Sequence, residues 1–196
     1  MTISKSFLLL LLSCLVTGGA YAQSPGQPVT PRQLFPSDVL NVHSPNSEGW
    51  IVTGFANNGI SFGKRAPESN ETYGTQAIIF EMPPTTGHEE FIGLIKKRIA
   101  LMNPPPRFQE TASDYRYTED RGYPCVNVHV SFDDFAAVTP TGKQQLKLQA
   151  VSLYCRHPEQ QQLGFFAAYS HRGKANDDQM ESAAIDFIAG VDIPKK

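Results

Sequence analysis

The chain has 196 residues, 40% of them hydrophobic and 18% charged, and a formal net charge of −2. These proportions suit one globular domain and exclude a disordered or fibrous chain. They also argue against nucleic-acid binding: the nearest basic cluster, Lys96-Lys97-Arg98, falls in a predicted helix beside Glu89 and Glu90 and reads as a solvated helix face.

Residues 1–22 have the layout of a cleavable export signal: Lys5, an apolar run over 7–16, and small residues ending in Ala20-Tyr21-Ala22. Cleavage is expected before Gln23. The apolar run is shorter than the roughly 20 residues of a bilayer-spanning helix, and no later stretch matches it, so the mature chain is expected not to cross a membrane. Removing residues 1–22 takes away Lys5 and no carboxylate, so −2 becomes −3. Cys14, in Leu11-Leu12-Ser13-Cys14, approximates the site at which bacterial lipoproteins are cut and acylated. Leu12 is larger than the residue usual there, and cutting before Cys14 would shorten the apolar core below the roughly 7 to 15 residues expected. Soluble export to the periplasm or medium is the reading; anchoring through Cys14 is its alternative.

Residues 23–45 carry Pro25, Pro28, Pro31, Pro36 and Pro45, which oppose a continuous helix or central strand, and read as a linker or loosely docked arm. The single domain is expected over 46–196. From Trp50 apolar residues alternate, Asn58-Gly59 supplies a hairpin turn, and a strand returns over 60–64. A third strand is expected at about 73–82, with Ile78 and Phe80 facing opposite to Ala77 and Ile79. Thr86 and Glu89 have capping-box spacing before a helix whose apolar stripe is Phe91, Leu94, Ile95, Ile99 and Met102. Asn103 and Pro104-Pro105-Pro106 stop it. A polar strand follows at about 108–118, then a turn at Asp120-Arg121-Gly122.

Cys125 and Cys155 each lie 15 residues from Pro140, in a pair of strands joined at Thr139-Pro140-Thr141-Gly142. Symmetric pairing about that turn makes partner numbers sum to about 280, which sets Cys125 opposite Cys155, Asp133 opposite Lys147 and Phe132 opposite Leu148. Opposed non-hydrogen-bonded residues lie about 4.5 Å apart at Cα, within reach of a disulfide. After Arg156-His157-Pro158, residues 163–170 form a strand buried on both faces. Asn176 is the expected cap of a terminal helix with Met180, Ala183, Ala184, Phe187, Ile188 and Val191 on its apolar face.

The resulting class is α+β, in the order βββ-α-ββββ-α, with a mostly antiparallel sheet covered by helices. Gly49-Trp50 opening the first hairpin, the helix after the third strand, the meander and the amphipathic last helix together resemble the PsbP-like proteins, small exported or lumenal α/β/α sandwiches. The resemblance spans residues 48–192 and implies a binding, assembly or accessory role without a set of functional residues.

The chemistry-bearing residues point the same way. His43, His88, His129, His157 and His171 have no metal-ligand spacing, and no nucleophile elbow or phosphate-binding glycine loop occurs, so neither metal nor cofactor is expected. Asp133-Asp134 alternates across a strand, which separates the two carboxylates. The candidate contacts for a small ligand or protein partner are Arg156 and His157, in the turn before the last strand, and His171 and Arg172, leaving that strand. A hydrolase using His171, Arg172 or His157 is the alternative.

Overall fold

Gly59 shows how the sheet is put together. It does not sit in the hairpin turn as the Asn58-Gly59 pair suggested; the turn is Asn57-Asn58, and Gly59 pairs with both Ala56 and Ile78. A Cβ there would lie 2.3 Å from the Ala77 carbonyl oxygen, so glycine is needed for close strand approach.

The computed structural model describes residues 25–66 and 70–194; residues 1–22, with the layout expected of an export signal and Cys14 among them, lie outside these. The elements are β1 (Leu34–Phe35), β2 (Asn41–His43), β3 (Ile51–Ala56), β4 (Gly59–Arg65), β5 (Thr72–Glu81), α1 (His88–Met102), β6 (Phe108–Thr118), β7 (Cys125–Thr139), β8 (Gly142–Arg156), β9 (Leu163–Gly173), α2 (Met180–Ala189) and β10 (Val191–Asp192). Seven strands form an antiparallel sheet in the order β3-β4-β5-β9-β8-β7-β6, and a small sheet has the order β1-β2-β10. The chain makes the β3-β4-β5 meander, crosses one face through α1 to the far edge, and returns through β6, β7 and β8 so that β9 docks beside β5. No helix of the described residues is long and apolar enough to cross a membrane.

Each sheet face has its own core. Phe91, Ile95 and Ile99 of α1 pack with Val126, Val128, Val130, Phe132, Tyr154 and Phe166. On the opposite face, Met180, Ala184 and Phe187 of α2 share a cluster with Trp50, Phe62, Leu153, Phe165 and Tyr169. Even and odd residues of β7 therefore belong to different layers, as strand alternation requires.

The 280 register holds from Cys125↔Cys155 through Asp133↔Lys147 to Asp134↔Leu146, and a bulge then shifts it by one before Ala137↔Gln144. Cys125 and Cys155 are bonded, with Cα atoms 4.0 Å apart, both fully buried on the α2 face. Lys147 Nζ donates to Asp133 Oδ1 at 2.5 Å.

The helix starts differ from the capping signals. At α1 the Thr86 amide and hydroxyl both donate to Glu90 Oε2, at 2.6 and 2.7 Å, rather than to Glu89, because the helix begins at His88 and Glu90 is the side chain that reaches back. At α2 the cap position is Gln179 rather than Asn176 and no side chain caps it; Asp177 Oδ1 instead accepts the Gln179 amide at 2.9 Å in the turn just before the helix, which begins at Met180. At the other end Arg121 closes α2, donating to the Ile188 and Val191 carbonyls at 2.6 Å each.

The proline-rich segment is packed. Val29, Phe35, Leu40 and Val42 are buried in the α2-side core, and residues 26–29 run along β3, with bonds Gly26 N to Val52 O at 2.7 Å and Val52 N to Gln27 O at 2.9 Å. Its prolines are compatible with β1 and β2 because both strands are only two or three residues long and avoid them.

Candidate functional site

The four polar candidates separate in the fold. Arg156 is buried, and its guanidinium donates to the Gln161 and Pro83 carbonyls at 2.6 and 2.8 Å and to Thr85 Oγ1 at 3.2 Å. It ties the β8–β9 turn to the segment between β5 and α1. His157 is also buried; its Nδ1 accepts the amides of Glu159 and Gln160 at 3.2 and 3.1 Å, which shapes the same turn.

His171 and Arg172 do not leave the last strand together. β9 continues to Gly173 because it is paired on both sides, Tyr73↔His171↔Gln149 and Thr72↔Arg172↔Leu148, so the two side chains take opposite faces. His171 is buried on the α2 side, its ring 4.9 Å from that of Tyr73 and its Nε2 3.8 Å from Glu71 Oε2. Of the four, Arg172 alone lines a cleft on the α1 face of the sheet.

That cleft arises from side-chain size. Three register rows cross the α1 face from β7 to β4: Val128-Ser152-Ala168-Gln76-Ser61, then Val130-Ala150-Ser170-Gly74-Gly63, then Phe132-Leu148-Arg172-Thr72-Arg65. α1 covers the end of the face bearing Val126, Val128, Tyr154 and Phe166. Beyond its last turn the second row shrinks to Ala, Ser and Gly, which leaves a depression of about 360 Å³ walled by Ile99, Met102 and Asn103 of the helix end. Asn103 fixes that wall by donating its amide N–H and its side-chain Nδ2 to the Ile99 carbonyl, both at 3.0 Å. Ser170 Oγ donates to the Gly74 carbonyl at 3.1 Å and lies where a Gly74 side chain would begin, 3.1 Å from an ideal Cβ.

One end of the cleft is charged. Asp134 is fully buried, and its two oxygens accept Arg107 Nε and Nη2 at 2.9 and 3.1 Å; the Ala136 amide adds a bond at 3.1 Å. Arg172 Nε lies 3.2 Å from Asp134 Oδ2 but outside hydrogen-bonding geometry. Two guanidiniums thus share one carboxylate, a local excess of one positive charge. Burial weakens the hold of Arg172 on its proton, against the favourable field of Asp134, while the neighbouring Arg107 acts with burial. In the floor, Tyr154 stacks on Phe166 with centroids 5.0 Å apart, and burial makes its phenol much less acidic than usual.

The lining offers hydroxyls, amides, one guanidinium and apolar surface. Among the described residues no three His, Cys, Asp or Glu side chains gather as a metal site. His129, on the Cys125 face, is half-exposed with Nδ1 4.0 Å from Glu181 Oε1. Sequence reasoning singled out Arg172 but missed Gly74, Gln76, Ala150, Ser152 and Ser170. The available signal was the small or polar character of one face of β4 and β5, Ser61-x-Gly63 and Thr72-x-Gly74-x-Gln76, where the opposite face carries Phe62 and Ala77. Compared with known proteins, the chain matches no protein-family model and no curated protein.

Proposed function

We propose that this is an exported, non-catalytic binding protein that works outside the cytoplasm and holds a small ligand or a partner's side chain in the cleft on the α1 face. The observation that carries the reading is the row Ala150-Ser170-Gly74, a sheet face kept free of large side chains beside a partly buried guanidinium. A core position with that pairing would ordinarily be filled, since protein interiors are close-packed. Five strands precede α1 and β10 follows α2, but within the seven-stranded sheet the order of three strands, helix, four strands, helix is kept, which supports a PsbP-like sandwich, a group made up mostly of binding and accessory proteins. The export signal supports a mature chain beginning at Gln23.

Two measurements test this. Intact mass of protein recovered from the periplasm or medium is expected to correspond to a chain starting at Gln23; a mass carrying acylated Cys14 would replace soluble export with anchoring. Ala150→Phe is expected to keep the fold and abolish binding of any ligand recovered with the native protein. Undiminished binding by that variant would move the site elsewhere.

A further inference from the structure

The cleft has a charged end and an apolar wall, and the two are adjacent. Arg172 closes the depression at the third register row. Asp134, its nearest carboxylate, is bonded by Arg107 and the Ala136 amide, and Arg172 Nε lies 3.2 Å from its Oδ2 outside hydrogen-bonding geometry, so that Nε has an ion pair but no hydrogen bond. Arg65 stands in the same row two strands away, beyond Thr72, and adds a further cation to that end of the face. Glu110, in the same row, is three strands from Arg172 on the other side and bonds to Ser113. The charged end is therefore short of negative charge. Away from Arg172 the lining mixes an apolar strip, Ile99 and Met102 above with Val130, Ala150 and Ala168 below, with the polar groups of Gln76, Asn103 and Ser152. A space of 360 Å³ holds about a dozen non-hydrogen atoms at the roughly 30 Å³ that each water-sized group occupies.

We infer that the cleft binds a small amphiphilic monocarboxylate, its carboxylate on Arg172 and its apolar body between the α1 end and the Ala150–Ala168 floor. This rests on the binding reading above. A carboxylate suits the site because a planar guanidinium pairs with it through parallel N–H bonds and because one negative charge cancels the excess left by Arg107, Asp134 and Arg172. Ser170, two residues along β9 from Arg172, brings a hydroxyl next to that end, Gln76 lies two rows away beside Ala168, and the remaining volume admits a chain or ring and little more.

The test uses the mature chain, with octanoate, octanol and octyl phosphate followed by amide chemical shifts. Octanoate is expected to move the amides of Ala150, Ala168 and Ser170. Its affinity should fall about tenfold or more in Arg172→Met, the worth of one charge-assisted pair, with Arg172→Lys in between. Added salt should weaken octanoate more than octanol in the unaltered protein, which tests the charge without any substitution. Equal binding of octanol, or an Arg172→Met variant with unchanged affinity, overturns the carboxylate assignment while leaving the cleft as the binding site. Tighter binding of octyl phosphate than of octanoate overturns it also. If neither these probes nor a set of neutral, cationic and peptide fragments moves the cleft amides, the binding reading itself fails, and the inference with it.

Discussion

Asp134 holds the charged end of the cleft in place although it never reaches solvent. Burial alone would make its carboxyl less acidic; the Arg107 bonds, the Ala136 amide and the charges of Arg172 and Arg107 outweigh that and lower its pKa. A carboxyl that is more acidic in the fold than in the unfolded chain adds stability that is complete above the unfolded value near 3.8 and is lost as pH falls through the folded value. Asp134→Asn keeps the shape but leaves two guanidiniums without a counter-charge. It is expected to cost about 3 kcal/mol at neutral pH, the low end for breaking a buried pair because Arg107 reaches water. The difference from the parent should begin to shrink as pH is lowered below about 4, where the carboxyl of the unfolded parent protonates, and is lost as pH falls on through the lower folded value. Urea unfolding at pH 7 and pH 3 measures both; a penalty that is the same at the two pH values would mean that packing, not charge, is what Asp134 supplies.

The β7–β8 hairpin is the element most fully legible in the sequence, because two cysteines, an opposite-charge pair and an apolar face all demand one register and the turn lies between them. The bulge after Asp134 was not legible, since no single residue there marks it. Helix ends were read to within a few residues for a related reason: Glu89 and Glu90 are both spaced to reach Thr86, and only three-dimensional placement selects between them. The bridge closes a loop with a sequence separation of 30, for which loop entropy gives about 3 to 4 kcal/mol at most. Cys125→Ala with Cys155→Ala avoids placing a hydroxyl at two fully buried positions, so it isolates the cross-link. The double variant, and the parent under reducing conditions, are expected to lose about 2 to 4 kcal/mol and still unfold cooperatively, because both helix layers remain packed. Loss of cooperative unfolding would make the bond a condition of folding rather than a reinforcement of it.

At the scale of the molecule, the cleft was the least legible feature, because it is assembled from small residues on five strands whose order in the sheet brings β9 between β5 and β8. No local pattern announces that insertion. The same long-range logic governs the N-terminal segment. Residues 23–45 read as a linker or loosely docked arm from their prolines, yet Phe35 meets Phe62 with ring centroids 5.2 Å apart, Arg32 pairs with Asp186 of α2, and the His43 amide donates to the Gly190 carbonyl at 2.9 Å. Val29, Phe35, Leu40 and Val42 together bury enough apolar surface to be worth about 6 to 12 kcal/mol, comparable with the total stability of a domain. The segment also covers the β3 edge, whereas the opposite edge, β6, is left to a bulge after Glu110 and to the charges of Glu110, Asp114 and Arg116. Bulges and charges are how exposed edges resist pairing with other chains; β3 has a bulge between Val52 and Gly54 but no charged residue, and it exposes the apolar side chains Ile51 and Phe55 once uncovered. A chain beginning at Glu48 is therefore expected to lose its cooperative thermal transition and to elute as dimers or larger species through β3. Phe35→Ala, which empties one core position but keeps the edge covered, should cost about 3 kcal/mol and remain at the parent's elution volume. If the shortened chain instead melts and elutes like the parent, residues 25–45 are an accessory to a core that is complete without them.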